Sequence, residues 1–578
     1  MLPGFPVRAC AALQAMHSSP RASRGWLSAS LGLSSVLLSW FAAPVAAQVP
    51  ALPGFVVEGA LQGEFSGSSV ANAGDVNGDG IPDFIIGARG ADLPGKVDAG
   101  RAYVVFGKRS NTAPIDLANL GSGGFVINGA ATGDRAGSAV AGAGDVNGDG
   151  IPDLLVGARD ADSPSRSTAG RAYVVFGKRG DTSPIDLANL GSGGFVIEGA
   201  VANDRAGFSA AGAADVNGDD LADVVVGALY SDPQGRLNAG RAYVVFGKAS
   251  TTPVDLSTLG SGGFAIEGAI ASELAGTSVA GAGDVNGDGI PDLLVGATGA
   301  NSIDQTSAGR AYVVFGKRGD TNPIDLANLG SGGFAIEGAA AFDNTGRAVS
   351  GVGDVNGDGI PDLLIGVSAA DTQGGDDAGR AVVVFGKRGN TDPIFLNALG
   401  EGGFSIEGAA TGDVLGSAVA SAGDVNGDGL TDLLVGGSGV DPQGRTDAGG
   451  AYVVFGKATS TPVDLTNLGS DGFAIAGAAA YDQTGYSVAP AGDVNGDGIA
   501  DFLVGAQRAT PQNRSLAGRV YLVFGKRGNT DPIDLATPGF TIPAPVISSF
   551  SPESGPVGTV VTLNGINLAG ATVSFGAV

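Results

Sequence analysis

An acidic loop recurs along the chain on a fixed pitch, and that pitch limits the fold more than any other feature. The stretch "GDVNGDGIPDLLVGA" at 144–158 places three aspartates, one asparagine and two glycines within nine residues, then turns apolar. Near-copies begin at Asp75, Asp145, Asp215, Asp284, Asp354, Asp424 and Asp493, spaced 70, 70, 69, 70, 70 and 69 residues apart. So regular a period marks an array of one supersecondary unit whose copies bury their apolar faces on each other.

Residues 124–193 show the unit. "GFVINGA" (124–130) opens it, and "GSAVAGAGDV" (137–146), the acidic loop, "DLLVGAR" (153–159) and "GRAYVVFGK" (170–178) follow. "PIDLANLGSG" (184–193) leads into the next copy. These four runs are rich in Val, Ile, Phe and Ala, lack sustained helical periodicity and are separated by turn formers, so each unit reads as four strands. "YVVF" and "DLLVG" are apolar on successive residues, which predicts strands buried on both faces. Seven four-stranded units predict an all-β fold, a seven-bladed β-propeller over 48–542. A solenoid would need atypical end caps, and the first and last units look like the rest.

Ring closure also leaves a trace. The Gly-Phe strand occurs eight times, at Phe55, Phe125, Phe195, Phe264, Phe334, Phe404, Phe473 and Phe540, against seven copies of the others. The surplus strand is expected to complete the last blade. "GFVVEGA" (54–60) is the first choice and "GFTI" (539–542) its competitor.

Composition narrows the chemistry. Residues 1–47 carry Arg8, Arg21 and Arg24 and no acid, with an apolar run from Trp26 to Ala47 ending in small residues. This reads as a secretory signal peptide, with Met16 a second start that would shorten it. An uncleaved membrane anchor is the alternative; the serines in the run and the small-residue site argue against it. Cys10, His17, Trp26, Trp40, Met1 and Met16 all lie in this leader and are the chain's whole stock of those residues. A mature chain from residue 48 has no disulfide, thiol nucleophile or imidazole base, which excludes Ser-His-Asp and Cys-His catalysis and Cys/His zinc sites. Removing the three leader arginines takes the net charge from −26 to −29. Such a surface repels nucleic acid and anionic membranes and suits cations. No membrane insertion of the mature chain is expected.

Within each loop, oxygen-bearing residues alternate. Position 1 is Asp75, Asp145, Asp215, Asp284, Asp354, Asp424 and Asp493; position 3 is Asn77, Asn147, Asn217, Asn286, Asn356, Asn426 and Asn495. Position 5 is Asp79, Asp149, Asp219, Asp288, Asp358, Asp428 and Asp497; position 9 is Asp83, Asp153, Asp223, Asp292, Asp362, Asp432 and Asp501. Position 7, with only a backbone carbonyl to offer, is Ile81, Ile151, Leu221, Ile290, Ile360, Leu430 and Ile499. Carboxylate, amide and carbonyl oxygens without nitrogen or sulfur donors suit a hard cation, and Ca2+ best, at up to seven sites. The loop is not an EF-hand, since position 12 is aliphatic and lies in a strand. A metal-free Asn-Gly hairpin needs one dipeptide rather than four ligands in register seven times. In the third unit Asp220 replaces a glycine, so the site around Asp215 is expected to be the weakest.

"GSAVAGAGDVNGDGIPDLLVGAR" with "VVFGK" resembles the FG-GAP repeat of the integrin alpha-subunit propeller, over roughly 54–542. The resemblance implies calcium loops between the first and second strands of each blade, on the lower face. Integrins bind calcium in only some blades, whereas all seven units here carry the ligands. It also implies a secreted or cell-surface adhesion module with an extracellular protein or glycan ligand and no catalytic residues. Two other functions remain open: a non-catalytic module of a larger extracellular hydrolase or lyase, and a structural surface-layer component.

The upper face then offers the ligand surface. Its connections vary between units, as in 160–169, 230–239 and 369–378. An acid falls eleven residues before each loop, at Glu64, Asp134, Asp204, Glu273, Asp343, Asp413 and Asp482. These are read as turn acceptors rather than a ring for a cationic partner. Arg-Gly-Asp triplets at 179–181 and 318–320 are read as turn drift. Residues 543–578, with "SPESGPVGTVVTLNG" and "VSFG", resemble the start of an immunoglobulin-like IPT/TIG domain, too short to form its core.

Overall fold

The computed structural model describes residues 54–109, 113–302, 305–528, 530–537, 546–551 and 562–566. The leader and the "GFTI" strand lie outside them. So does most of the IPT/TIG-like segment, of which two strands, Val546–Ser551 and Thr562–Ile566, pair antiparallel.

Each repeat builds one blade. In the first, β2 (Ser69–Gly74), β3 (Asp83–Ala88), β4 (Arg101–Val105) and β6 (Gly124–Asn128) form an antiparallel meander from the inside outward. The Gly-Phe strand that opens each sequence unit is therefore the outer strand of the preceding blade. A fifth strand of two residues, Ile185–Asp186, adds parallel to β6. The sequence reading lacked it, because two residues are too few to show a period. The seven inner strands touch their neighbours around the ring, and β2 meets Thr484–Gly492 of the seventh blade. The fold is an all-β, seven-bladed propeller.

The N-terminal strand closes the circle. β1 (Gly54–Glu58) pairs antiparallel with Arg519–Val523 of the last blade, Gly54 opposite Val523 and Glu58 opposite Arg519. Gly54 adopts φ 155°, and a Cβ there would lie 1.9 Å from the carbonyl oxygen of Leu522, so only glycine fits. β5 (Ile115–Asp116) completes this sheet beside β1. Arg514 pairs with Asp116 at 2.8 Å and Arg519 with Glu58 at 3.2 Å.

Alternation explains the unbroken apolar runs. Phe84 and Ile86 of β3 pack with Leu503, Val520 and Leu522 of the seventh blade. Ile85, between them, packs with Leu154 and Val156 of the second. The "FGK" motif adds two contacts. Phe106 meets Phe125 edge-on at 6.2 Å within its blade, while Lys108 lies 4.4 Å above the Phe55 ring of the preceding blade. The lysine contact recurs at every blade junction, for instance Lys178 on Phe125 and Lys526 on Phe473.

Candidate metal centre

The acidic loop joins the inner strand to the second strand of each blade, as the integrin resemblance implies. Gly78 and Gly80 hold φ of 77° and 80°, left-handed conformations that glycine adopts without strain. Asp75 Oδ1 accepts the N–H of Gly78 at 2.7 Å and of Asp79 at 2.9 Å, and its Oδ2 accepts that of Gly80 at 2.8 Å. Asp79 Oδ1 accepts from Ile81 N at 2.9 Å. The same four bonds recur in the other six loops. In the third loop Asp220 takes the glycine's place at φ 70° and still donates to Asp215 at 2.9 Å.

Position 9 differs from the half-buried position 1 and the exposed position 5. Asp83 is wholly buried at the start of β3. Its Oδ2 accepts from Val76 N at 3.0 Å and its Oδ1 from Gly107 N at 2.9 Å. Burial pushes Asp83 up to about 7, and the Asp79 and Asp75 charges add to the shift. Asp153 and Asp432 are likewise pushed up by burial to about 7, and Asp362 to about 6.

Among the described residues, no three acidic, imidazole or thiol side chains alone gather into a cage. The loop's donor set is mixed: three carboxylates, one amide and one backbone carbonyl. That oxygen-only set, with one carboxylate buried beside two others, fits a calcium ion by its chemistry. A bound calcium would supply the counter-charge that these carboxylates lack.

The acids eleven residues upstream are turn acceptors. Asp134 Oδ2 accepts from Ala131 N at 3.0 Å and Asp413 Oδ2 from Ala410 N at 2.9 Å. All seven are buried, so they form no acidic ring on the upper surface. The Arg-Gly-Asp triplets are also explained locally. A Cβ on Gly78 would meet the Arg179 side chain at 3.4 Å, and one on Gly218 would meet Arg318 at 3.3 Å. These arginines thus pack on the preceding blade's acidic loop. Asp181 and Asp320 accept the N–H of Ser183 at 2.8 Å and of Asn322 at 2.9 Å. The sequence reading missed a group of upper-face arginines, Arg89, Arg135, Arg159 and Arg205. Its traces are "GAR" in the first two units alone and "DRAG" at 134–137 and 204–207 alone.

This architecture defines a seven-bladed β-propeller with an acidic loop in every blade. The FG-GAP repeat matches seven times, at residues 66–105, 136–175, 206–245, 275–314, 345–384, 415–454 and 484–523, so the chain carries one FG-GAP repeat per blade. Phosphatidylinositol-glycan-specific phospholipase D of Bos taurus is 34% identical over 163 residues, 28% of this chain and 18% of that protein. Integrin alpha-PS2 of Drosophila melanogaster is 34% identical over 221 residues, 37% of this chain and 14% of that protein. Human integrin alpha-IIb is 32% identical over 163 residues, 28% of this chain and 14% of that protein. The chain thus spans less than a fifth of the length of each of these relatives. Among the described residues, no helix is long and apolar enough to cross a membrane.

Proposed function

We propose that the chain is an extracellular ligand-binding propeller of the adhesion type, its blades stapled by calcium in the seven acidic loops. One observation carries this reading: the loop geometry, with three carboxylates and its backbone hydrogen bonds, is repeated in every blade. The loops lie at the strand ends opposite the variable connections, so calcium serves stability while the upper face is left for a ligand. The integrin relatives favour a secreted or cell-surface setting and a protein or glycan partner. Equilibrium dialysis against radioactive calcium tests the staple. Seven saturable sites are expected, and an absence of saturable binding refutes it.

A second reading rests on the bovine phospholipase relative: the propeller is the non-catalytic module of a larger hydrolase. It predicts that the purified chain has no phospholipase activity alone but lends surface binding to a fused catalytic domain.

A further inference from the structure

The first residues of the inner strands ring the upper mouth of the central channel. They include the hydroxyls of Ser68, Ser138 and Ser417, the rings of Phe208 and Tyr486, and Arg347. Arg89 and Arg159 line the same mouth from the loops after the second strands.

Three arginines, Arg89, Arg159 and Arg347, line the mouth, and Arg159 joins them to a charge group beside it. Asp160 lies 3.3 Å from Arg135, 3.7 Å from Arg159 and 3.4 Å from Arg205. One carboxylate therefore serves three guanidinium groups, in a chain of net charge −26. Burial lowers the Arg159 pKa; Asp160 opposes the shift, and Arg89, Arg135 and Arg205 add to it. An arriving anion would relieve that repulsion.

The arginines are also positioned. Arg89 sits 5.5 Å from the Phe65 ring and 5.7 Å from Tyr486; Arg159 is 5.3 Å from Phe208, and Arg205 is 5.3 Å from Tyr230. Stacking on aromatic faces fixes the guanidinium planes and leaves their N–H forks for a ligand. Arg159 Nε and the Ser417 hydroxyl are buried without a hydrogen-bond partner.

We infer that this mouth binds a carboxylate-bearing saccharide, a uronate, with Arg89, Arg159 and Arg347 gripping the carboxylate and the hydroxyls of Ser68, Ser138 and Ser417 meeting sugar hydroxyls. The guanidinium fork matches a planar carboxylate in bidentate fashion. The mouth is an open depression of about 280 Å³, the size of one sugar residue. A nucleic acid or densely sulfated chain would also meet the acidic remainder of the surface. The inference names a ligand for the ligand-binding reading above and rests on it, but not on calcium.

The test is an NMR titration of the full chain with methyl glucuronide, with methyl glucoside as the neutral counterpart. The variants are the double substitution Arg89→Gln/Arg347→Gln and the single Asp160→Asn, each checked by circular dichroism. Saturable binding of the glucuronide alone is expected. The double variant should weaken it by about 10-fold, as expected for losing charge-assisted hydrogen bonds. Asp160→Asn should tighten it, because Arg159 loses a competing carboxylate. No saturable binding, equal binding of the glucoside, or affinity unmoved by both variants overturns the inference. Tighter binding of a tri-glutamate peptide overturns the saccharide assignment. Each titration is run in calcium and in chelator alongside a thermal melt. Glucuronide binding with a chelator-insensitive melt refutes only the staple; a chelator-sensitive melt without glucuronide binding refutes only the uronate site.

Discussion

The buried carboxylate of Asp153 accepts the backbone N–H of Gly177 at 2.9 Å, across 24 residues of chain. This bond joins the last ligand of the acidic loop to the glycine of "FGK" at the end of the third strand. The two halves of the repeat motif are therefore one structural unit, and the loop is fixed from both ends before any metal enters.

Asp153→Ala should destabilise the protein with or without calcium. It strands the N–H of Gly177 in the interior and leaves that of Val146 only its 3.2 Å bond to the Gly144 carbonyl, and relief of a buried charge offsets only part of that loss. The expected cost is about 1–3 kcal/mol in chelator. Asp149→Ala removes an exposed carboxylate and should cost less than ~0.5 kcal/mol in chelator, with its full effect appearing only in calcium. Urea unfolding of both variants in the two buffers checks the contrast. Equal behaviour would separate the loop from metal binding.

Much of this was legible in the sequence. The mismatch between eight Gly-Phe strands and seven acidic loops pointed to one surplus strand that closes the ring, because a count of strands survives any error in their boundaries; it left residues 54–60 and 539–542 as rivals, and the pairing of β1 with Arg519–Val523 came only from the structure. The alternating oxygens of the loop were readable because turn chemistry is local. The arginine group was not: Arg89, Arg135, Arg159 and Arg205 come from separate connections, and only ring geometry gathers the other three around Arg159. Burial of Glu64 and its six counterparts was equally hidden, since an acid beside a turn reads as exposed until the neighbouring blade covers it.

Phe55→Ala should test ring closure. Phe55 is 1% exposed, packs on Phe84 and Phe524, and carries Lys108 above its ring. The expected loss is about 3–5 kcal/mol. Deleting residues 54–60 should expose the outer edge of the last blade and cause aggregation, and adding that heptapeptide in trans should restore a cooperative melt. Unchanged stability after the deletion would mean that another segment closes the ring.

Asp220→Gly should stabilise the third loop. Asp220 occupies a left-handed conformation at φ 70° where the other loops have glycine. Removing that strain is expected to gain roughly 0.5–1 kcal/mol in chelator, read as a shift in urea midpoint. A loss of stability would show that the Asp220 side chain makes a favourable contact that outweighs its backbone strain.

Asp482 gives a pH signature away from the metal loops. Burial raises its pKa from 3.8 to about 6, against the pull of Arg519. A raised acid is most at ease when protonated in the fold, so this contribution is fully present below pH 3.8 and is lost as pH rises through about 6. Asp482→Asn should therefore leave stability at low pH nearly unchanged and raise it, relative to the parent, above pH 6. Melting both proteins across this range in chelator reads the difference. A gain confined to low pH would reverse the assigned sign.

If calcium staples the seven blades, thermal melting with and without chelator must show it. At dissociation constants of about 10⁻⁴–10⁻³ M and millimolar calcium, each site adds roughly 0.4–1.4 kcal/mol. Seven such sites should raise the melting temperature by about 3–10 °C in a domain of this size. A melt that falls by that amount on chelation, together with seven bound ions per chain, is the predicted result. An unchanged melt with no bound calcium would contradict the account and leave the loops as hairpin turns held by their own hydrogen bonds.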